Sequence, residues 1–549
     1  MPIVRVAAVQ FAVTEDVEEN LATCLRMTDQ AAAEGAQVVV LPEFCNHVSW
    51  YDDRAHARRM AQTLDGPFVT ALADRARAHG IHLMVNCTLA REDGRTTGSN
   101  ILVGPDGAIL AVTDKQVLMG SERDHLDPAV TASPVVDTAF GRVGLYSCMD
   151  GVINETPRML AVGGAQVLLN SLNSFALDEA SLHVPVRAVE NRVWVVAANK
   201  VGPLVPARSI AMVAERVGVP VEMLHGAGES QIVAPDGTIV AMAPRTGEAV
   251  VVADIEVEVA DDKRRPDGTD VMTSRRPDLY GPILDAPRGR QRAAGADALV
   301  TAVVNPADGD DVAVLLREAL ATGAGLVVLP ELAGVAPDDI VAALVEAAGS
   351  GSTAYVATSV ADGDAHVGLV LSGDGVVLRQ QQLHASAPHS WATAFGDGLG
   401  VVDLPWGRLA LVVGDDALYP ETFRLASLQD VDVVAVPFTT QAAADLDPLL
   451  LERAAENRLN VAVASRQGAY GGGALYPLST DFTLWAPDRG PFAGIISRPD
   501  PVLATSAVEV ATLRPACAVN RFVSKGTDLV DGRPWELAAV LVAPAARVG

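Results

Sequence analysis

Three short segments carry side chains whose types could do covalent chemistry together. Leu41-Pro42-Glu43 puts a carboxylate directly after an apolar run, Asp114-Lys115-Gln116 puts a lysine after a hairpin, and Tyr146-Ser147-Cys148-Met149-Asp150-Gly151 puts a thiol at a glycine-flanked bend. Brought together, they make a nucleophile with its own base and electrostatic partner. Each also has an ordinary reading: Glu43 as a capping or surface carboxylate, Cys148 as a small buried hydrophobe like Cys24, Cys87 and Cys517. Lys115 is the most informative. The chain holds only four lysines (Lys115, Lys200, Lys263, Lys525) among 41 basic residues, so a plain surface cation would be an arginine here. A lysine is a compact donor to a developing oxyanion, where a guanidinium is bulky.

The chemistry follows from these residue types. A Cys148 thiolate attacks an amide or nitrile carbon, and a thiol near its free pKa of about 8.5 needs a base, for which Glu43 is the candidate. Lys115 and the backbone N–H of Met149 stabilise the oxyanion. Glu43 then protonates the departing amine and activates the water that hydrolyses the thioester. No metal or organic cofactor is required.

Such residues need strand ends to hold them, and the chain supplies short β-branched runs alternating with amphipathic stretches. Strands are predicted at Val4 to Val9, Gln37 to Leu41, His82 to Leu89 and Asn100 to Val103, and Pro105-Asp106-Gly107 turns a hairpin into Ile109 to Asp114. Further strands follow at Val143 to Ser147, Val167 to Asn170 and Val193 to Ala198, with helices at Val17 to Glu34, Phe68 to His79 and Leu182 to Arg192. The class is α/β, with helices covering sheets.

The pattern is written twice. Gly35-Ala-Gln-Val-Val-Val-Leu-Pro-Glu43 recurs as Gly323-Ala-Gly-Leu-Val-Val-Leu-Pro-Glu331, and Arg187-Ala-Val-Glu-Asn-Arg192 recurs 266 positions later as Arg453-Ala-Ala-Glu-Asn-Arg458. The Pro-, Gly- and Arg-rich segment Pro282 to Asp297 reads as a linker, giving domains at 1–285 and 296–549 with the linker proper at 286–295. With 549 residues, 49% apolar, both can bury a core. The net charge of −27 disfavours nucleic acid and anionic membrane surfaces as partners. Apolar runs stay far below the roughly 18 residues of a membrane span. The N-terminus lacks signal-peptide zones, and five cysteines without a C-x-x-C pair indicate neither a disulfide framework nor a zinc site, so a reducing cytoplasm is expected.

Taken in order, Ala7-Ala8-Val9-Gln10, Leu41-Pro42-Glu43, Pro105-Asp106-Gly107 before Lys115, Cys148-Met149-Asp150, Arg187 to Arg192 and Arg275-Arg276-Pro277-Asp278-Leu279-Tyr280 resemble the nitrilase (carbon–nitrogen hydrolase) superfamily. The resemblance implies two tandem αββα four-layer sandwich domains and a Glu43, Lys115, Cys148 catalytic set. It implies a second glutamate too, which we carry to Glu122, with Asp124 and Asp127 as competitors and an exposed loop carboxylate as the plain reading. Trp50 and Tyr51 after Glu43, and Asn173 after the strand Val167 to Asn170, are candidate pocket residues alongside Met149; ordinary loop packing would also account for them. Tyr146 and Asp150 support the loop.

The second copy departs from this pattern. Cys148 maps onto Gly414 and the lysine position falls in Arg379-Gln380-Gln381-Gln382, so it reads as a degenerate copy with a structural role although Glu331 persists. Gly471-Gly472-Gly473 lacks a phosphate-loop frame and reads as a turn. The leading function is hydrolysis of a small amide or carbamoyl compound. Nitrile hydrolysis, whose branch follows the cysteine with Trp-Glu instead of Met149-Asp150, is the first alternative; acyl transfer and a vestigial binding module are the others. Hydrolases of carbamoyl amino acids commonly hold the substrate carboxylate with arginines soon after the cysteine, and the first here is Arg158. Superfamily members commonly pair through one helical face, so the two copies are expected to dock as an intramolecular pseudo-dimer, with assembly of whole chains left open.

Overall fold

Ile3–Gln10 opens the chain as a strand whose residues from Val6 onward are all buried, because it lies between the parallel Val38–Val40 and the antiparallel Ala249–Glu256. These belong to a computed structural model that describes residues 3–349, 353–479 and 492–545. The first sheet runs Ala249–Glu256, Ile3–Gln10, Val38–Val40, His82–Ala90, Thr96–Val103, Ile109–Asp114. The second runs Ile239–Met242, Gln231–Val233, Trp194–Ala198, Val167–Ser171, Gly141–Ser147, Val135–Thr138. Val6, Val40, Met84 and Leu102 of one face meet Leu145, Leu169, Val196 and Ile232 of the other.

Helices close both outer faces, giving four layers. Val17–Ala33 and Pro67–His79 lie on the first sheet through Cys24, Met27, Phe68 and Leu72. Asp16 caps the former by accepting from the amides of Glu18 and Glu19, and Gly80 in the left-handed region ends the latter. Glu155–Val162 and Val184–Asn191 lie on the second sheet.

The second half repeats this succession. Its sheets run Val508–Leu513, Leu299–Val304, Leu326–Val328, Tyr355–Asp362, Ala365–Ser372, Gly375–Gln381, and Val401–Leu404, Gly407–Leu411, Val433–Pro437, Asn460–Ala464, Ala474–Tyr476, Val502–Leu503. They pack face to face through Val303, Val328, Leu411 and Val433. Helices Val312–Ala321 and Pro337–Ala348 cover one sheet, Pro420–Leu428 and Leu451–Asn457 the other.

Most expected elements form within a residue or two, and the departures have local causes. The strand expected from Asn100 begins at Thr96, since Thr97 and Ser99, though polar, are zipped to His82–Ala90 and bond through their hydroxyls to Asp114. The helix expected from Leu182 starts as a π-helical turn, Glu179–His183, before Val184–Asn191. Glu155–Val162 was not foreseen: all eight residues are buried, so it has no polar stripe to betray its period. Cys517, expected to be buried, is half-buried.

The layer formed by Glu155–Val162 and Val184–Asn191 faces the corresponding helices of the second half. Arg158 pairs with Glu421 at 2.9 Å and Arg424 with Glu155 at 2.7 Å; Arg187 pairs with Glu456 at 2.7 Å and Arg453 with Glu190. Each contact and its mate differ by 266 in both residue numbers, so the contacts are reciprocal. The ends of the two halves also cross over. Leu541 and Ala538 of Trp535–Val542 pack with Met159, Leu160 and Ile283, and Arg275 donates to Glu421 and to Leu541 O. The segment 286–295 is fastened down, with Arg288 on Asp430 and Arg290 on Asp432.

Candidate active site

Cys148 follows the strand Gly141–Ser147 with φ of 48°, a left-handed conformation that costs a residue with a Cβ about 1–3 kcal/mol and persists only where neighbours over-determine it. Here they do. Its N–H donates to Ser171 O at 3.0 Å, its carbonyl accepts from Gly151 N at 2.7 Å, and no side chain caps the short helix Met149–Val152 that begins beside it. Gly151 is required at this bend, since a Cβ there would stand 2.7 Å from the Tyr146 ring. The buried Asp150 carboxylate accepts from the amides of Gln116 and Val117 at 3.0 and 2.8 Å, locking the Lys115 segment to the cysteine turn; burial pushes its pKa up to about 7.

Glu43 and Lys115 are completely buried, which rules out the surface readings of both. Lys115 Nζ lies 2.8 Å from Glu43 Oε1 and 2.9 Å from Glu122 Oε2. Glu122 opens the short helix Glu122–His125 and its Oε2 accepts from Met119 N, so it is held on the lysine and is no free loop carboxylate. Glu43 N donates to Leu172 O, which seats the glutamate against the second sheet. Phe44, also left-handed at φ 48°, turns its ring over Gly98, where a Cβ would come within 2.8 Å, and under Lys115.

The electrostatics divide the proton. Burial, then the Glu43 carboxylate, raise the Cys148 thiol well above its ordinary range against the pull of Lys115. Burial likewise raises Glu43, with Lys115 opposing. For Lys115 burial works downward, but Glu122 and Glu43 beside it carry the ammonium well above the usual lysine range. The site therefore sets a thiol, a carboxyl group made more basic by burial, and a lysine held between Glu43 and Glu122 close together. Such a set can accept a thiol proton and stabilise an oxyanion.

Of the expected pocket residues, Trp50 is half-buried and packs against the cluster of Val205 and Phe492, as Met119 and Phe175 do. Tyr51 is buried with its hydroxyl on Thr88 Oγ1 at 2.6 Å and its ring stacked on His47. Asn173 keeps a buried Oδ1 that accepts no hydrogen bond. Arg158 is paired with Glu421 and cannot reach a substrate.

Two groups escaped the sequence reading. Lys200 is buried beneath Phe44, brought down to about 8 by burial, and its charge acts on Glu43 and Cys148; the scarcity of lysines that marked Lys115 would have marked it too. Glu179, also buried and raised to about 7 by burial, has both oxygens unpartnered and acts on Cys148. The second half also packs against the segments around these residues: Thr527 Oγ1 accepts from Gly120 N at 2.8 Å, Val523 and Leu529 pack on Met149 and Val152, and the Phe492 ring stands 5.1 Å from that of Phe175. Nothing local in the sequence signals a contact across 300 residues or more.

Comparison with known proteins assigns the chain to a family. The carbon-nitrogen hydrolase family model matches residues 5–265, and the chain belongs to that family. A nitrilase of Pyrococcus abyssi is 31% identical over 281 residues, 51% of this chain and 99% of its own. An N-carbamoylputrescine amidase of Solanum tuberosum is 27% identical over 305 residues, covering 51% and 95%; an omega-amidase of Danio rerio is 28% identical over 290, covering 50% and 96%. Among the described residues no helix is long and apolar enough to cross a membrane.

Proposed function

We propose that the first half hydrolyses the carbon–nitrogen bond of a small linear amide or carbamoyl compound through a thioester on Cys148. Glu43 is the base, Lys115 and the Met149 N–H are the oxyanion donors, and Glu122 holds Lys115 in place. The observation that supports this most is the Glu43–Lys115–Glu122 chain of 2.8 and 2.9 Å contacts, in which Glu43 and Lys115 are completely buried. Glu43 takes the thiol proton, the tetrahedral oxyanion settles on Lys115 and Met149 N–H, and Glu43 returns the proton to the leaving amine. Water activated by the same carboxylate releases the acid.

Asn173 Oδ1, buried without a donor, suits the NH2 of an amide or carbamoyl group, and Trp50 with Phe175 suits an apolar flank. The pairing of Arg158 argues against an anionic amino-acid substrate anchored there. The second half, in this reading, is a degenerate copy spanning 296–549 whose reciprocal ion pairs make the chain a covalent pseudo-dimer. Few cysteines and no C-x-x-C pair suit a reducing compartment, and we assign the protein to the cytoplasm.

The test is ammonia release from a panel of amides, carbamoyl compounds and nitriles, with intact-mass detection of an acyl adduct. Turnover of amides with an adduct lost in Cys148→Ala is expected. Turnover by Cys148→Ala would overturn the mechanism, and nitrile turnover alone would overturn the substrate class.

A further inference from the structure

The second half keeps the shape of the catalytic corner but exchanges its chemistry. Gly414 stands at φ 51° where Cys148 stands at 48°, and Leu332 after Glu331 at 47° where Phe44 after Glu43 is at 48°. Gln382 N donates to His366 O at 2.8 Å as Lys115 N donates to Gly98 O at 2.8 Å, so Gln382 takes the place of the lysine and His366 that of Gly98. His389 arrives from the following loop.

The exchange leaves a buried carboxylate without its lysine. Glu331 Oε2 accepts no hydrogen bond and points at the space a Cβ on Gly414 would fill, 2.5 Å away. His389 Nε2 lies 3.5 Å from that oxygen, while its Nδ1 is held by Asp415 Oδ2 at 3.1 Å and Ser386 Oγ at 3.2 Å. The ring of His366 lies 4.6 Å from that of His389 between centroids, and its Cε1 is 3.1 Å from the same Cβ position. One ligand atom each from Glu331, His366 and His389 falls within 4.8 Å of the others, and all three residues are buried.

We propose that Glu331, His366 and His389 bind a divalent first-row metal ion, with zinc as the best match, in the place of the lost nucleophile. Two imidazoles and a carboxylate are a zinc-type donor set, and bonds of about 2.0–2.1 Å require tetrahedral ligand atoms about 3.3 Å apart, close to the spacing of Glu331 and His389. The surroundings are those that ligating histidines require: Asp415 orients His389 through its other nitrogen, and Ser359 Oγ, 2.7 Å from His366 Nε2, does so for His366. A metal on His366 Nδ1 replaces the 2.7 Å contact to Gln382 Oε1. The missing side chain at Gly414 leaves room for a fourth ligand. This reading does not depend on the reaction assigned to the first half.

The full chain, stripped with chelator and dialysed against zinc, is expected to retain one ion per chain. Cys148→Ala should retain it and His389→Gln, which keeps the hydrogen bond to Asp415 but not the ligand, should lose it, as should His366→Ala. Cobalt loaded into the unaltered chain should give a visible d–d band without thiolate charge transfer, a readout independent of any variant's folding. A metal-free chain after loading, retention in both histidine variants, loss in Cys148→Ala, or a thiolate band would each overturn the proposal.

Discussion

Arg187 Nη2 meets Glu456 Oε2 at 2.7 Å while its Nε donates to Gly151 O at 2.6 Å, so one buried guanidinium ties the second half to the turn that presents Cys148. Glu452 takes the same Nη2 at 2.6 Å, and Val152 O accepts from it as well. The strained cysteine is thus braced from across the interface.

Glu452→Gln with Glu456→Gln in the full chain should leave that cation under-compensated. Breaking a buried pair from one side costs about 3–5 kcal/mol. A lower melting midpoint is expected, and kcat should fall at temperatures where the chain is still folded. Loss of stability with kcat untouched would reduce the contact to a plain structural one.

Glu421 gives the interface a pH dependence. Although burial works upward, Arg158 and Arg275 hold it down at about 2 against an ordinary 4.5. Its folded pKa is depressed, so its contribution is present above pH 4.5 and lost as pH falls toward 2. The shift corresponds to about 3 kcal/mol. Denaturant melts over that window should show stability dropping, with a shallower drop in Glu421→Gln; parallel curves would assign the acid sensitivity elsewhere.

Cys148→Ala should abolish turnover and leave the fold intact. Cys148→Gly should be equally dead yet more stable than the alanine variant by about 1 kcal/mol, because glycine adopts φ 48° freely, as Gly414 does in the other half. Equal melting midpoints for the two variants would show that the backbone is not strained.

What could be read before the structure was whatever local pattern encodes. Glu43, Lys115 and Cys148 stood at strand ends because apolar runs stop there, and the hairpin at Asp106-Gly107 announced itself through turn chemistry. Glu155–Val162 was invisible because a helix buried all round has no stripe, and its burial depends on residues more than 250 positions away. Lys200 is marked by the same rarity as Lys115, but no neighbouring motif gives it a role. His366 and His389 were not readable, since only the fold brings them to Glu331.

Lys115→Arg tests the point-charge reading of the lysine. Nζ is enclosed by Glu43, Glu122 and the Phe44 ring, and a planar guanidinium has no room there. The variant should lose activity nearly as far as Lys115→Ala, on the order of the roughly 3 kcal/mol of one oxyanion donor. Substantial activity in the arginine variant, measured by ammonia release, would mean that charge alone suffices.

The last prediction concerns residues 1–285 expressed alone. Cutting there removes Glu421, Glu452 and Glu456, taking from Arg158 its carboxylate partner and leaving Arg187 with Glu190 as its one carboxylate, and strips Leu541 and Ala538 from the helix Glu155–Val162. It also removes Phe492 from Phe175, Thr527 from Gly120 and Leu529 from the turn Met149–Val152. The freed face still carries Glu155 and Glu190 beside Arg158 and Arg187, so two fragments can satisfy each other through the same patch, a two-fold solution open to an isologous surface. The expected outcome is a fragment that aggregates, or dimerises with little activity, read by light scattering and ammonia release. A stable, fully active monomer would show that the second half neither braces the cysteine turn nor completes the pocket.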